Sequence, residues 1–162
     1  MNRNRPRCLV LACGNTLRSD DGAGPWLARR AEEEFGSQAG LRVVVSMQWT
    51  PEMAEEIAQA ESILFIDCSL VSPPGAVRLF PVDAAPGSQG LDTHRLNAPE
   101  LLALGRDLYG VIPQNALLLT IGAGSTEFGE GFSDEVKAAL PAAWDLLDKT
   151  IRRLAGFAET DR

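Results

Sequence analysis

Three side chains able to hold a divalent metal or to move a proton stand where loops are expected: Asp21, Asp67 and His94. Carboxylate oxygen and imidazole nitrogen suit first-row divalent ions. Either group type can also serve as a general base. Three ligands leave coordination positions open for a substrate or for water. The set carries no thiolate, which argues against a permanent structural zinc site and for a weak grip on an exchangeable metal. Each residue also has a plainer reading. Asp20 or Asp21 could cap a helix and complement its dipole. Neighbouring side chains rarely point the same way, so one could cap while the other faces a cleft. Asp67 could be a turn residue, although a charge directly after Ile63-Leu64-Phe65-Ile66 is costly unless paired or ligated. His94 is the only histidine, so it must be any imidazole ligand the site has, or else a surface residue.

The elements that must position these residues follow from periodicity and breakers. Cys8–Cys13 is a short continuous apolar run and predicts a buried strand that ends at Gly14. The loop 14–24 follows. A helix is expected over Pro25–Phe35, since proline is tolerated in a first turn. Further strands are expected at Leu41–Met47, Ser62–Ile66, Ala76–Pro81 and Ala116–Ile121, with Ala76–Pro81 near an edge because of its proline. Helices are expected over Pro51–Ala60 with Thr50 as cap, over Pro99–Arg106 with Asn97 as cap, and from Ser133 to about Leu154. Val136, Leu140, Trp144, Leu147, Ile151 and Leu154 give the last helix an apolar stripe, and Pro141 should kink it. Strands alternating with helices predict an α/β three-layer sandwich, a mainly parallel five-stranded sheet flanked by helices on both faces. One domain is expected over residues 1–162, with a frayed tail from about 156. In such sheets ligands bind beyond the carboxyl ends of the strands. That is where Asp21, Asp67 and His94 could converge.

Several chemistries find no support. The loop 14–24 matches neither GxGxxG nor GxxxxGK[ST]. No GxSxG elbow is present. Ser19, Ser46 or Ser69 could nominally join His94 in a triad, but nothing distinguishes them. A cysteine nucleophile, Cys13 or Cys68 with His94, is geometrically possible. The net charge is −7, from 22 acidic and 15 basic residues, which opposes nucleic-acid binding through an overall positive field. No run approaches the ~20 apolar residues of a membrane span. The three cysteines form no CxxC pair, favour reduced thiols and read most simply as small buried hydrophobes. A cytoplasmic protein is expected.

The segment from Ala12 to Gly24 resembles the N-terminal signature of hydrogenase maturation peptidases: a strand ending in G-x-G-N, a short apolar step, then D-[DE]-G-x-G. Ala12 replaces the first glycine. Phe65-Ile66-Asp67-Cys68 resembles the family's second motif, an aspartate closing a strand. Thr93-His94-Arg95-Leu96 resembles its third, a histidine before a helix. The glycine-rich stretch Ile121–Phe132 and the proline-interrupted last helix also fit, so the likeness runs along nearly the whole chain. It implies that Asp21, Asp67 and His94 bind metal. It implies an endopeptidase that removes the C-terminal extension of a nickel–iron hydrogenase large subunit once nickel is inserted. The nickel is then a feature of the substrate, and no tightly bound resident cofactor is expected. Asp21 and Asp67 are the candidate catalytic carboxylates of such an aspartic-type enzyme. The expected partner is the large-subunit precursor, met by a monomer that binds neither nucleic acid nor membrane. Two other readings are a peptidase of similar fold with another protein substrate, and a non-enzymatic nickel-binding chaperone.

The stretch Gln48-Trp49-Thr50-Pro51-Glu52-Met53-Ala54 resembles a Q-x-T-P-E-x-A variant associated with peptidases serving soluble, cofactor-reducing hydrogenases. An exposed Trp49 there would make an anchor for a partner surface.

Overall fold

The structure is a computed structural model that describes residues 5–92 and 96–159. Five strands form one sheet: β1 (Cys8–Cys13), β2 (Leu41–Ser46), β3 (Ser62–Ser69), β4 (Val77–Pro81) and β5 (Asn115–Gly122). Their order is β2-β1-β3-β5-β4. All neighbours run parallel except β4, which pairs antiparallel with β5 at the edge. Helices α1 (Ala23–Phe35), α2 (Met53–Gln59) and α3 (Ala98–Tyr109) lie between strands, and α4 (Asp134–Ala155) follows β5. The expected α/β three-layer sandwich with a mainly parallel five-stranded sheet is what the chain forms.

Side-chain alternation along the strands divides the core in two. Cys8, Val10 and Ala12 of β1, with Leu64 and Ile66 of β3, pack against α1 and α4. Leu9 and Leu11, with Ile63 and Phe65, pack against α2 and α3. Both central strands are thus buried on both faces, which explains their uninterrupted apolar runs. Asn97 caps α3 in a full capping box with Glu100, and Ser133 caps α4 through Val136 N–H. The α4 helix continues as one element through Pro141.

Four local expectations change. The strand expected to stop at Ile66 runs to Ser69, because β5 is long enough to pair Asp67 with Thr120, Cys68 with Ile121 and Ser69 with Gly122. Thr50 does not cap α2: the helix begins at Met53 after a turn in which Met53 N–H donates to the Thr50 carbonyl at 3.1 Å. Trp49 is not an exposed anchor but a core residue, 5% exposed and edge-on to Phe65 with ring centroids 5.2 Å apart. The tail past Gly156 is docked over its described part, with Phe157 stacked on Phe35 at 5.7 Å.

Candidate metal centre and active site

The chain leaves β1 to build α1 and β2 on one side, then returns through α2 to lay β3 on the other. The strand order therefore reverses between β1 and β3, and such a switch point opens a crevice at the carboxyl ends. β1 ends at Cys13, whereas β3 continues to Ser69. The overhang of β3 is one wall of the crevice. The loop 14–22 forms the other.

That loop is folded tightly. Asn15 Oδ1 accepts from Leu17 N–H at 2.9 Å, an Asx turn that reverses the chain. A single 3₁₀ turn, Ser19–Gly22, then leads into α1. Gly14 has φ +151°, and a Cβ there would lie 1.9 Å from the Asp21 carbonyl oxygen. Gly24 is constrained by space alone, since its Cβ would come within 2.8 Å of the Cys13 carbonyl oxygen. Only glycine allows α1 to start against the strand ends.

The two adjacent aspartates do point different ways. Asp20 is fully buried and turns to the β5–α4 loop. It accepts from Gly124 N–H (2.8 Å), Ser125 N–H (3.0 Å), Ser133 N–H (2.7 Å) and the Ser133 hydroxyl (2.8 Å). Burial pushes its carboxyl up, but these hydrogen bonds outweigh burial and hold it below the ordinary range. Asp20 is thus a structural clasp, and does not cap α1. Asp21 turns to the crevice. Its Oδ2 accepts from Asn15 N–H at 2.7 Å, and its Oδ1 faces the Cys68 thiol at 3.2 Å.

Asp67 reaches the same place from β3. Its Oδ1 accepts from Cys68 N–H at 2.8 Å, which draws the carboxylate along the strand toward the crevice, and it lies 3.8 Å from the Cys13 thiol. Its Oδ2 has no hydrogen-bond partner among the described residues. Burial pushes the Asp67 carboxyl up to about 6, and the nearby Asp21 charge adds to the rise, while the Cys68 N–H opposes it. No cation of the described residues pairs with either carboxylate. Two acids held together without a counter-charge, one of them resisting ionisation, form a site ready for a cation or a proton.

Asp21, Asp67 and Cys68 offer three donor atoms that all lie within 4.8 Å of one another. The sequence placed Asp21 and Asp67 here, and the structure brings them together. It adds the thiol of Cys68, which the sequence suggests is a small buried hydrophobe, so sulfur stands beside the two carboxylates. The signal available in the sequence is position alone: Cys68 directly follows Asp67, and the overrun of β3 past β1 that exposes it is seen only in the structure. Cys13, at the end of β1, is the second thiol at the site. Burial, then the neighbouring carboxylates, push both thiols well above their ordinary range. Activated thiolates have depressed values, so neither cysteine is poised as a nucleophile. His94 lies outside the described residues.

A groove of about 290 Å³ runs beside the loop, lined by residues of segment 14–17, by Pro25 and Arg29, and by Val45, Ser46 and Met47 at the end of β2. Exposed Leu17, Val45 and Met47 surround it. A larger hollow of about 770 Å³ lies between α4, Leu79 and Phe157. None of the acid-pair residues lines that hollow, so size is a poor guide to the chemistry here.

A family profile described as hydrogenase maturation protease matches residues 44–149. The chain belongs to the hydrogenase maturation protease family. The matched segment includes Asp67 and Cys68 and begins after the loop that carries Asp21. Solved structures extend the likeness to the N-terminal part. The [NiFe] hydrogenase maturation protease HybD from Thermococcus kodakarensis is 26% identical, with a TM-score of 0.65 over 89% of this chain and 98% of that one. The hydrogenase maturating endopeptidase HybD from E. coli is 19% identical, with a TM-score of 0.67 over 91% of this chain and 93% of that one. The HycI hydrogenase maturation protease from Thermococcus kodakarensis is 20% identical, with a TM-score of 0.66 over 90% and 92%. No curated protein matches the chain. In this member of the hydrogenase maturation protease family, the parallel strands end at one edge of the sheet, and Asp21 and Asp67 meet there. Among the described residues, no helix is long and apolar enough to cross a membrane.

Proposed function

We propose that this protein is the endopeptidase that removes the C-terminal extension of a nickel–iron hydrogenase large subunit after nickel insertion. The substrate's nickel is read by Asp21, Asp67 and His94. The observation that carries the reading is the convergence of Asp21 and Asp67, without a counter-cation among the described residues, in the β1–β3 crevice of a maturation-protease fold. A divalent ion brought by the substrate relieves the repulsion between the carboxylates and favours their ionised forms. The acid pair thereby becomes a complementary anionic site when the precursor carries its metal. The metal in turn can polarise the scissile carbonyl.

The activation of water falls to a carboxylate with an oxygen to spare. Among the described residues Asp67 Oδ2 meets that condition, and as a carboxylate it can take a proton from water. The groove beside the loop, with its exposed apolar rim, is where the precursor chain flanking the metal would rest.

Asp21→Asn and Asp67→Asn test these roles on nickel-loaded precursor. Loss of a positioned base or ligand should lower processing by about 10²-fold or more, with circular dichroism unchanged. Full processing by both variants would overturn the assignment.

A further inference from the structure

We propose that Cys68 is a further protein ligand to the metal and the residue that sets its preference for nickel over harder divalent ions. The inference rests on the reading that the acid pair meets the substrate's nickel. Alternation along β3 puts Cys68 on the α1 side of the sheet, the side from which Asp21 descends, and its Sγ lies 3.2 Å from Asp21 Oδ1. Asp67 would face the opposite side, but its bond to Cys68 N–H folds its carboxylate over the strand end. Two adjacent residues of one strand therefore deliver ligating atoms to one point.

All three donor atoms lie within 4.8 Å of one another. A divalent ion with metal–oxygen and metal–sulfur bonds of about 2.0–2.3 Å holds its ligands roughly 3–4.5 Å apart, so only a small contraction is needed. Two carboxylates alone suit magnesium, calcium or manganese, whereas a thiolate turns a site toward softer ions later in the first row. When the metal enters, the S–H bond breaks, a sulfur–metal bond forms and the proton leaves to water. The proton that the Cys68 thiol now directs at Asp21 thus lies where the metal would sit.

The test is a titration of the isolated full-length protein with nickel(II) and cobalt(II) chloride, followed by absorption spectroscopy and repeated against manganese(II). The wild-type protein should show a thiolate-to-metal charge-transfer band in the near ultraviolet. The band should persist in Cys13→Ser and vanish in both Cys68→Ser and Cys68→Ala. Nickel affinity of the Cys68 variants should fall about tenfold or more, with manganese affinity little changed. Binding without the band, a band that survives loss of Cys68, or no binding at all would overturn the proposal. Nickel-dependent processing of the precursor by the same preparations separates the two claims. Its persistence alongside a negative titration removes Cys68 as a ligand and leaves the reading of the acid pair standing.

Discussion

Ser133 gives both its backbone N–H and its hydroxyl to Asp20, at 2.7 and 2.8 Å. The residue that caps α4 is thereby tied to the loop before α1, more than a hundred residues away in sequence. With the N–H groups of Gly124 and Ser125, the clasp fixes the two loops that flank the acid pair.

Asp20→Asn should therefore destabilise the fold by about 2–4 kcal/mol, because buried N–H donors lose a charged acceptor. The native carboxyl is held below its ordinary range, so its contribution is present above the unfolded value of 3.8 and is lost as pH falls through the folded value. Urea unfolding at pH 7 and pH 3 checks both statements. The deficit of Asp20→Asn should be large at the first pH and smaller at the second.

Asp67 should behave in the opposite sense. Its carboxyl is raised from 3.8 to about 6, so in the metal-free protein the native state holds a proton that the unfolded chain releases between those values. Stability from this group is greatest below about 4 and is lost as pH rises through about 6. Asp67→Asn removes the neutral-pH penalty. The variant should be inactive yet more stable than wild type at pH 7, by up to about 2–3 kcal/mol at ~1.4 kcal/mol per pH unit, with no advantage at pH 4. Thermal or urea unfolding at the two pH values measures it.

Gly14→Ala should uncouple site from fold. The new Cβ meets the Asp21 carbonyl oxygen at 1.9 Å in a backbone conformation that L side chains rarely adopt. The loop must shift, and the Asn15 N–H that orients Asp21 shifts with it. Processing of nickel-loaded precursor should drop by about 10²-fold, the size of effect expected when a reacting group is misplaced by an ångström. The core beneath, remote from the loop, should keep its helical and strand signal by circular dichroism.

Much of this was legible from residue order. Continuous apolar runs mark the two central strands, β1 and β3, valine-rich and apolar segments mark the others, and Asn97 and Ser133 announce their helices. The division of labour between Asp20 and Asp21 could be framed but not assigned, because it depends on a loop from the far end of the chain. The burial of Trp49 is not legible in the sequence, because flanking Gln48, Thr50 and Pro51 suggest a surface turn, yet its ring reaches back onto Phe65. From sequence Cys68 reads as an inert core residue, as most cysteines are. Only the unequal lengths of β1 and β3, set by pairing with β5, expose it to the carboxylates.

The central claim is that the acid pair reads metal carried by the substrate. It is tested most directly by the intact mass of a hydrogenase large-subunit precursor after incubation with the wild-type protein, nickel-loaded in one arm and metal-free in the other. The account predicts loss of the C-terminal extension in the nickel-loaded arm alone. Equal cleavage in both arms, or an unchanged mass in both, would contradict it.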